Sequence, residues 1–154
     1  VAPTTAELIL PEVEVDDASA PSPAPAASDA SLAAQLLETG HAILEGLAFP
    51  SGSASLAEDA YPSLRALAAF LEENPTAVVS LVGHTDSVGG LDANTTLSRD
   101  RARAVRTRLI GAYDLDPGRI LAEGAGFLAP RASNLTPEGR AANRRVEVVL
   151  LALE

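Results

Sequence analysis

A chain of 154 residues with 47% hydrophobic content has room for one packed domain of ordinary size and an appendage. Lysine is absent and eleven arginines face twenty-one acids for a formal charge of −10, the opposite of the basic face that binds nucleic-acid phosphates. Without cysteine there is no disulfide, thiolate nucleophile or cysteine metal ligand, and no apolar run approaches the roughly 18 residues of a membrane-spanning helix.

Residues 1–30 hold six acids (Glu7, Glu12, Glu14, Asp16, Asp17, Asp29) and no base, which leaves fifteen acids against eleven arginines for the rest. Within them "ASAPSPAPAAS", residues 18–28, favours extended, solvated backbone. Residues 1–30 therefore read as an acidic, Pro/Ala/Ser-rich tail and linker, in which "AELILPEVEV" is either disordered or a short strand formed on a partner. The folded domain is expected over residues 31–154. Leu32 and Leu36, four apart, lie behind Ser28 or Asp29 as N-cap and ahead of Gly40, and predict a short extra helix at 31–39. "HAILEGLAF", 41–49, reads as a strand that turns at "PSGS". Next, Asp59 is placed to cap a helix with Pro62 in its first turn; Ala60, Leu64, Leu67 and Leu71 line one face, and Asn74 and Pro75 stop it.

"AVVSLVG", 77–83, is short, continuous and Val-rich, as a strand covered on both faces should be. The following helix is expected to begin within Asn94–Ser98 and to bury Ala102, Val105, Leu109 and Ala112. "RILAEGAG" (119–126) and "RRVEVVLLAL" (144–153) supply two more strands, separated by the loop-like "FLAPRASNLTPEGRAAN". Strand, helix, strand, helix, strand, strand implies an α/β mixed sheet with helices mainly on one face. Its helical connections are parallel crossovers, and its last two strands, with no helix between them, are candidates for antiparallel pairing.

The stretch "GHTDSVGGLDANTTLSRDRA", 83–102, joins the carboxyl end of the Val-rich strand to a helix, where open α/β sheets place ligand crevices. A P-loop is excluded because its GK[ST] ending needs lysine, and the chain lacks the G-x-S-x-G of a hydrolase elbow. His84 and Asp86 alone make a weak metal site. Taken alone, Asp86 is either a ligand-binding acid or a turn acid, and Arg101 is either a clamp or a solvated helix arginine like Arg99, Arg103, Arg106 and Arg108.

"GHTDSVGGLDANTTLSRDRARAV", followed by "GAG" and "TPEGRAANRRVEVVL", resembles the OmpA-like peptidoglycan-binding domain, also found in peptidoglycan-associated lipoproteins and flagellar stator proteins. Through "LAFPSGSASL", which looks like that family's first strand and following loop, the resemblance covers about residues 41–151. Two positions depart from the family pattern: Ala93, where an aromatic often precedes the Asn, and Pro50, where an acid often follows the Phe.

The resemblance implies an OmpA-like β-α-β-α-β-β fold, no catalysis, no metal and no cofactor. It also implies non-covalent, periplasmic binding of peptidoglycan through the diaminopimelate of its stem peptide, so that a parent envelope protein, associated with the outer membrane, is tethered to the wall. Diaminopimelate ends in an ammonium and a carboxylate on one carbon. By the family's motif Asp86 takes the ammonium and Arg101 the carboxylate, whose geometry suits a planar guanidinium fork. Asn94 orders the loop or touches ligand, Leu97 is a core or pocket wall, and Thr85 offers its backbone N–H to the carboxylate. Arg144 and Arg145 face opposite sides if they lie in a strand, and Arg144 is the one expected to reach the site. The competing reading is an OmpA-like fold that serves as a protein-interaction module without wall binding.

Overall fold

Helix α1 (Asp29–Thr39) buries Leu32 and Leu36 and ends at Gly40, whose left-handed φ of 83° lets its N–H close on the Leu36 carbonyl at 3.0 Å. The structure, a computed structural model, describes residues 29–47, 49–56 and 61–153. The tail and linker up to residue 28, including Ser28, lie outside these residues, and Asp29 is itself the first residue of the helix.

Strand β1 is only His41–Ile43, much shorter than the run expected through Phe49. The Leu44 N–H still bonds to the Val146 carbonyl at 3.0 Å, but the chain then turns at Gly46 (φ 85°) and again over Pro50–Ser53, with Gly52 at φ 76°. Leu47 and Phe49, which made the segment look like a strand, are instead buried from irregular backbone. Helix α2 (Pro62–Glu73) has Pro62 at its first position, where no N–H is required. Its N-cap is Tyr61; Asp59 and Ala60 lie outside the described residues. Leu64, Leu67 and Leu71 form its core face as expected.

Strand β2 (Val78–Gly83) leads into α3 (Leu91–Tyr113), which starts earlier than Asn94 because Gly90 takes the N-cap and receives the Asn94 N–H at 3.1 Å. Ala102, Val105 and Leu109 are buried, whereas Ala112 is exposed. The buried position there goes to Leu115, beyond the left-handed cap Asp114. A 3-10 turn (Pro117–Arg119) precedes β3 (Ile120–Gly124). The segment read as a loop contains a further helix, α4 (Pro137–Asn143), and then comes β4 (Val146–Ala152). The Thr136 hydroxyl accepts the Gly139 N–H at 3.0 Å and Pro137 occupies the first turn, so seven residues suffice once capped.

The sheet order is β1-β4-β2-β3. Strands β2 and β3 are parallel, whereas β4 lies between β1 and β2 and is antiparallel to both, so the last strand is not a neighbour of β3. Register places Ala42, Val79, Leu81, Ile120, Val146 and Val148 on one face, all buried, while Leu121 and Glu123 on the other face are exposed. Helices therefore cover mainly one face. The closest approach is that of α3, where an added Cβ on Gly83 would stand 1.9 Å from the Ser98 carbonyl oxygen. Gly83 and Gly124 are partners across β2 and β3, and α3 crosses the sheet over this pair.

Candidate functional site

Three residues beyond the end of β2 the backbone delivers Asp86, whose side chain is only 6% exposed. One carboxylate oxygen accepts the Val88 N–H at 3.1 Å, which folds the 86–90 loop back on itself; the other accepts from the Arg144 guanidinium at 2.8 Å. Arg144 is the C-cap residue of α4, and its Nε also donates to the Phe49 carbonyl at 3.2 Å. It thus ties the turn before β4 to the loop after β1.

Arg101 comes from the middle of α3 and is fully buried. Its Nε donates to the Ser53 carbonyl at 2.8 Å and its terminal nitrogens to the carbonyls of His84 at 3.1 Å and Pro50 at 3.0 Å. Its guanidinium carbon stands 5.1 Å from the centre of the Phe49 ring. Desolvation lowers its pKa to about 10, with Asp86 opposing and nearby Arg144 adding to the effect, so it remains a cation at neutral pH. Pro50 has no charged side chain and meets the guanidinium only through its backbone carbonyl.

Asn94 orders the loop: its amide donates to the carbonyls of Val88 at 2.9 Å and Gly90 at 3.0 Å. Thr85 is buried, its hydroxyl donates to the Asp86 carbonyl at 2.9 Å, and its N–H is already bonded to the Gly126 carbonyl at 2.9 Å. The N–H expected to face a carboxylate is therefore engaged in joining the β2 and β3 loops. Leu97 is half-buried on α3. Arg145 turns away from Arg144 and bonds to Glu147 at 2.6 Å, the Asn143 carbonyl at 3.3 Å and the Ala129 carbonyl at 3.0 Å.

His84 also leaves the cluster. Its ring is buried with neither nitrogen hydrogen-bonded, and Nε2 stands 3.9 Å from Glu147. Among the described residues no three His, Cys, Asp or Glu side chains are grouped to hold a metal ion. Of the other α3 arginines, Arg106 is not simply solvated: it donates to the carbonyls of Ile120 at 2.6 Å and Pro117 at 2.9 Å.

Sequence reasoning missed the parts contributed by unfamiliar backbone. Phe49 offers its carbonyl to one arginine and its ring to the other. Fully buried Asn143 accepts the N–H groups of Arg131 and Ala132 at 2.7 and 2.9 Å and donates to Asn134 at 2.9 Å; Asn134 in turn accepts from the Ser87 N–H at 3.3 Å. The only sequence signal for this brace was the Asn directly before the paired arginines. Chemically, the cluster is a buried carboxylate beside two guanidinium groups, an arrangement suited to bind charge.

The probable lipoprotein YiaD of Escherichia coli is 44% identical over 105 residues, which cover 68% of this chain and 48% of that protein. The peptidoglycan-binding protein ArfA of Mycobacterium tuberculosis is 41% identical over 104 residues, 68% of this chain and 32% of that one. The chain thus spans half or less of the length of these relatives. Among solved structures, the peptidoglycan-associated lipoprotein of Burkholderia pseudomallei superposes with a TM-score of 0.62 at 27% identity, covering 68% of this chain and 88% of that one. The OmpA family pattern matches residues 48–144, and with it the chain belongs to the OmpA family.

Proposed function

We propose that this domain binds cell-wall peptidoglycan non-covalently through the diaminopimelate of the stem peptide and so tethers a parent envelope protein to the wall, without catalysis, on the periplasmic side. The observation that carries the reading is the buried Asp86 carboxylate flanked by Arg101 and Arg144. The names of two relatives support it: one is called a peptidoglycan-binding protein and the other a peptidoglycan-associated lipoprotein. In this reading Asp86 receives the ammonium, Arg101 receives the carboxylate, and Arg144, Thr85, Asn94 and Leu97 shape the wall of the site. Of the expected tail and linker, residues 1–30, the last two belong to α1, and the acidic, Pro/Ala/Ser-rich residues before them act as a linker.

Sedimentation with insoluble wall tests this. Diaminopimelate-type peptidoglycan should pull the protein down and lysine-type peptidoglycan should not. Removing one partner of a buried charge pair costs about 2–5 kcal/mol, so Asp86→Ala should weaken binding roughly thirtyfold or more. Equal pull-down by both wall types, or full binding by Asp86→Ala, would leave a protein-interaction module as the better reading.

A further inference from the structure

Strand β3 is an edge of the sheet. The Ala125 N–H bonds to the Gly83 carbonyl and the His84 N–H to the Arg145 carbonyl, so alternate residues of β2 serve β3 and β4 in turn. By the same alternation Leu121 and Glu123 bond inward to β2, while Ile120 and Ala122 turn their backbone groups outward. Arg106 takes the Ile120 carbonyl at 2.6 Å. Among the described residues nothing bonds to the outward N–H and carbonyl of Ala122. The strand has no proline and pairs with β2 without a bulge, so it lacks two of the devices that keep an edge from accepting another strand.

The two sides of this edge differ chemically. On the helix face Arg103 and Arg106 of α3 line an open groove beside Ile120 and Ala122. The Arg103 side chain is 66% exposed, and its ion pair with Asp100, at 4.0 Å, is solvated on both sides. On the other face stand Leu121 and Glu123, both exposed. A strand that fits must therefore carry acids at alternate positions over the arginines and apolar residues between them beside Leu121. The opposite facing would set its acids against Glu123.

We propose that the outer edge of β3 is a docking site for this chain's own residues 12–15, Glu12, Val13, Glu14 and Val15, which lie outside the described residues. As an added strand, they put Glu12 and Glu14 on one face, over Arg103 and Arg106, and Val13 and Val15 on the other, beside Leu121. Their backbone supplies the partners of Ala122. Pro11 falls at the start of the strand, where its missing N–H is tolerated. Residues 16–28 can extend roughly 40 Å, against roughly 35 Å across a domain of this size, so the segment reaches the edge from the start of α1 at Asp29. The tether raises its local concentration to about millimolar, enough to populate a weak contact. Docking adds no side chain to the core, so its release leaves the melting temperature of the domain unchanged. Its effect is to cover an edge that would otherwise pair with another chain.

Amide hydrogen exchange on the 15N-labelled full chain tests this. The Ala122 amide should exchange about threefold or more slowly than in a variant lacking residues 1–28, whereas the Glu123 amide, bonded to β2, should exchange equally in both. Glu12→Arg together with Glu14→Arg, outside the folded domain, should return Ala122 to the truncated rate. Arg103→Glu, on a side chain already exposed, should reduce the slowing by about half or more. Equal Ala122 rates in the full and shortened chains overturn the docking, as does a slowing that survives both charge reversals. A slowing that fades on dilution would place a second copy on the edge and overturn the intramolecular contact.

Discussion

His84 shows how strongly the surroundings of one side chain set its chemistry. Burial and neighbouring Arg145 lower its pKa from 6.5 to about 4, with Glu147 pulling weakly the other way. Below pH 6.5 the unfolded chain takes up a proton that the native ring refuses, so the native state loses stability as pH falls through the window from 6.5 to about 4 and loses nothing from this group above it. The whole effect is on the order of 3 kcal/mol. Because neither ring nitrogen is hydrogen-bonded, His84→Leu sacrifices no bond at neutral pH. Melting curves at pH 7.5 and 5 should therefore show a smaller acid-induced drop in His84→Leu than in the wild type. Equal drops in the two proteins would assign the acid sensitivity to other groups.

At the scale of elements, α3 owes its position to two glycines. The Cβ of an alanine at Gly83 would stand 1.9 Å from the Ser98 carbonyl oxygen, and one at Gly124 would stand 2.5 Å from the Arg99 nitrogen. Backbone cannot yield as a flexible side chain does, so Gly83→Ala should cost about 3 kcal/mol or more and tilt α3 off the sheet. Gly111, on the exposed side of the same helix, has nothing within 4 Å of its would-be Cβ. There alanine should stabilise by roughly 0.5–1 kcal/mol, because a helical glycine gives up more freedom on folding. Urea denaturation of the two variants reads both signs. Arg119 makes a further tie between elements: it donates to the carbonyls of Leu71 at 2.7 Å, Asn74 at 2.6 Å and Ala77 at 3.0 Å, closing the end of α2 against the start of β3. Arg119→Met should leave those carbonyls short of donors and cost about 1–3 kcal/mol by the same measurement.

What the sequence disclosed at this scale was what is local. The Val-rich run at β2, the Leu32–Leu36 helix and the apolar stripe of α3 each carry their own periodicity, and each is present. Helix α4 was missed because Pro137 and Gly139 discourage a helix on their own; it needs the Thr136 cap and a Gly139 without Cβ against the Ser133 carbonyl, 1.7 Å from where a Cβ would be. Asp86 and Arg101 were legible from their motif, but the bonds that distinguish Arg101 from Arg144 run to Pro50, Ser53 and Asp86, far away in sequence. No local pattern encodes such pairings.

For the molecule as a whole, charge and core are divided unequally along the chain. Six of the twenty-one acids fall in residues 1–30, while the buried hydrophobic cluster runs from Leu32 to Val148. A variant lacking residues 1–28 should therefore keep the melting temperature and wall binding of the full chain, and a large fall in either would make the tail part of the fold. The order of the sheet carries another consequence. The last strand in sequence sits between the first and second, so β1 and β2 have no ladder of their own until residues 146–152 arrive. A nascent chain emerging from the ribosome would hold a lone strand and a separate parallel pair, and the closing contacts span nearly the full domain, which makes folding slow and late. The sheet thus closes only once residues 146–152 have left the ribosome, and until then the domain stays threadable.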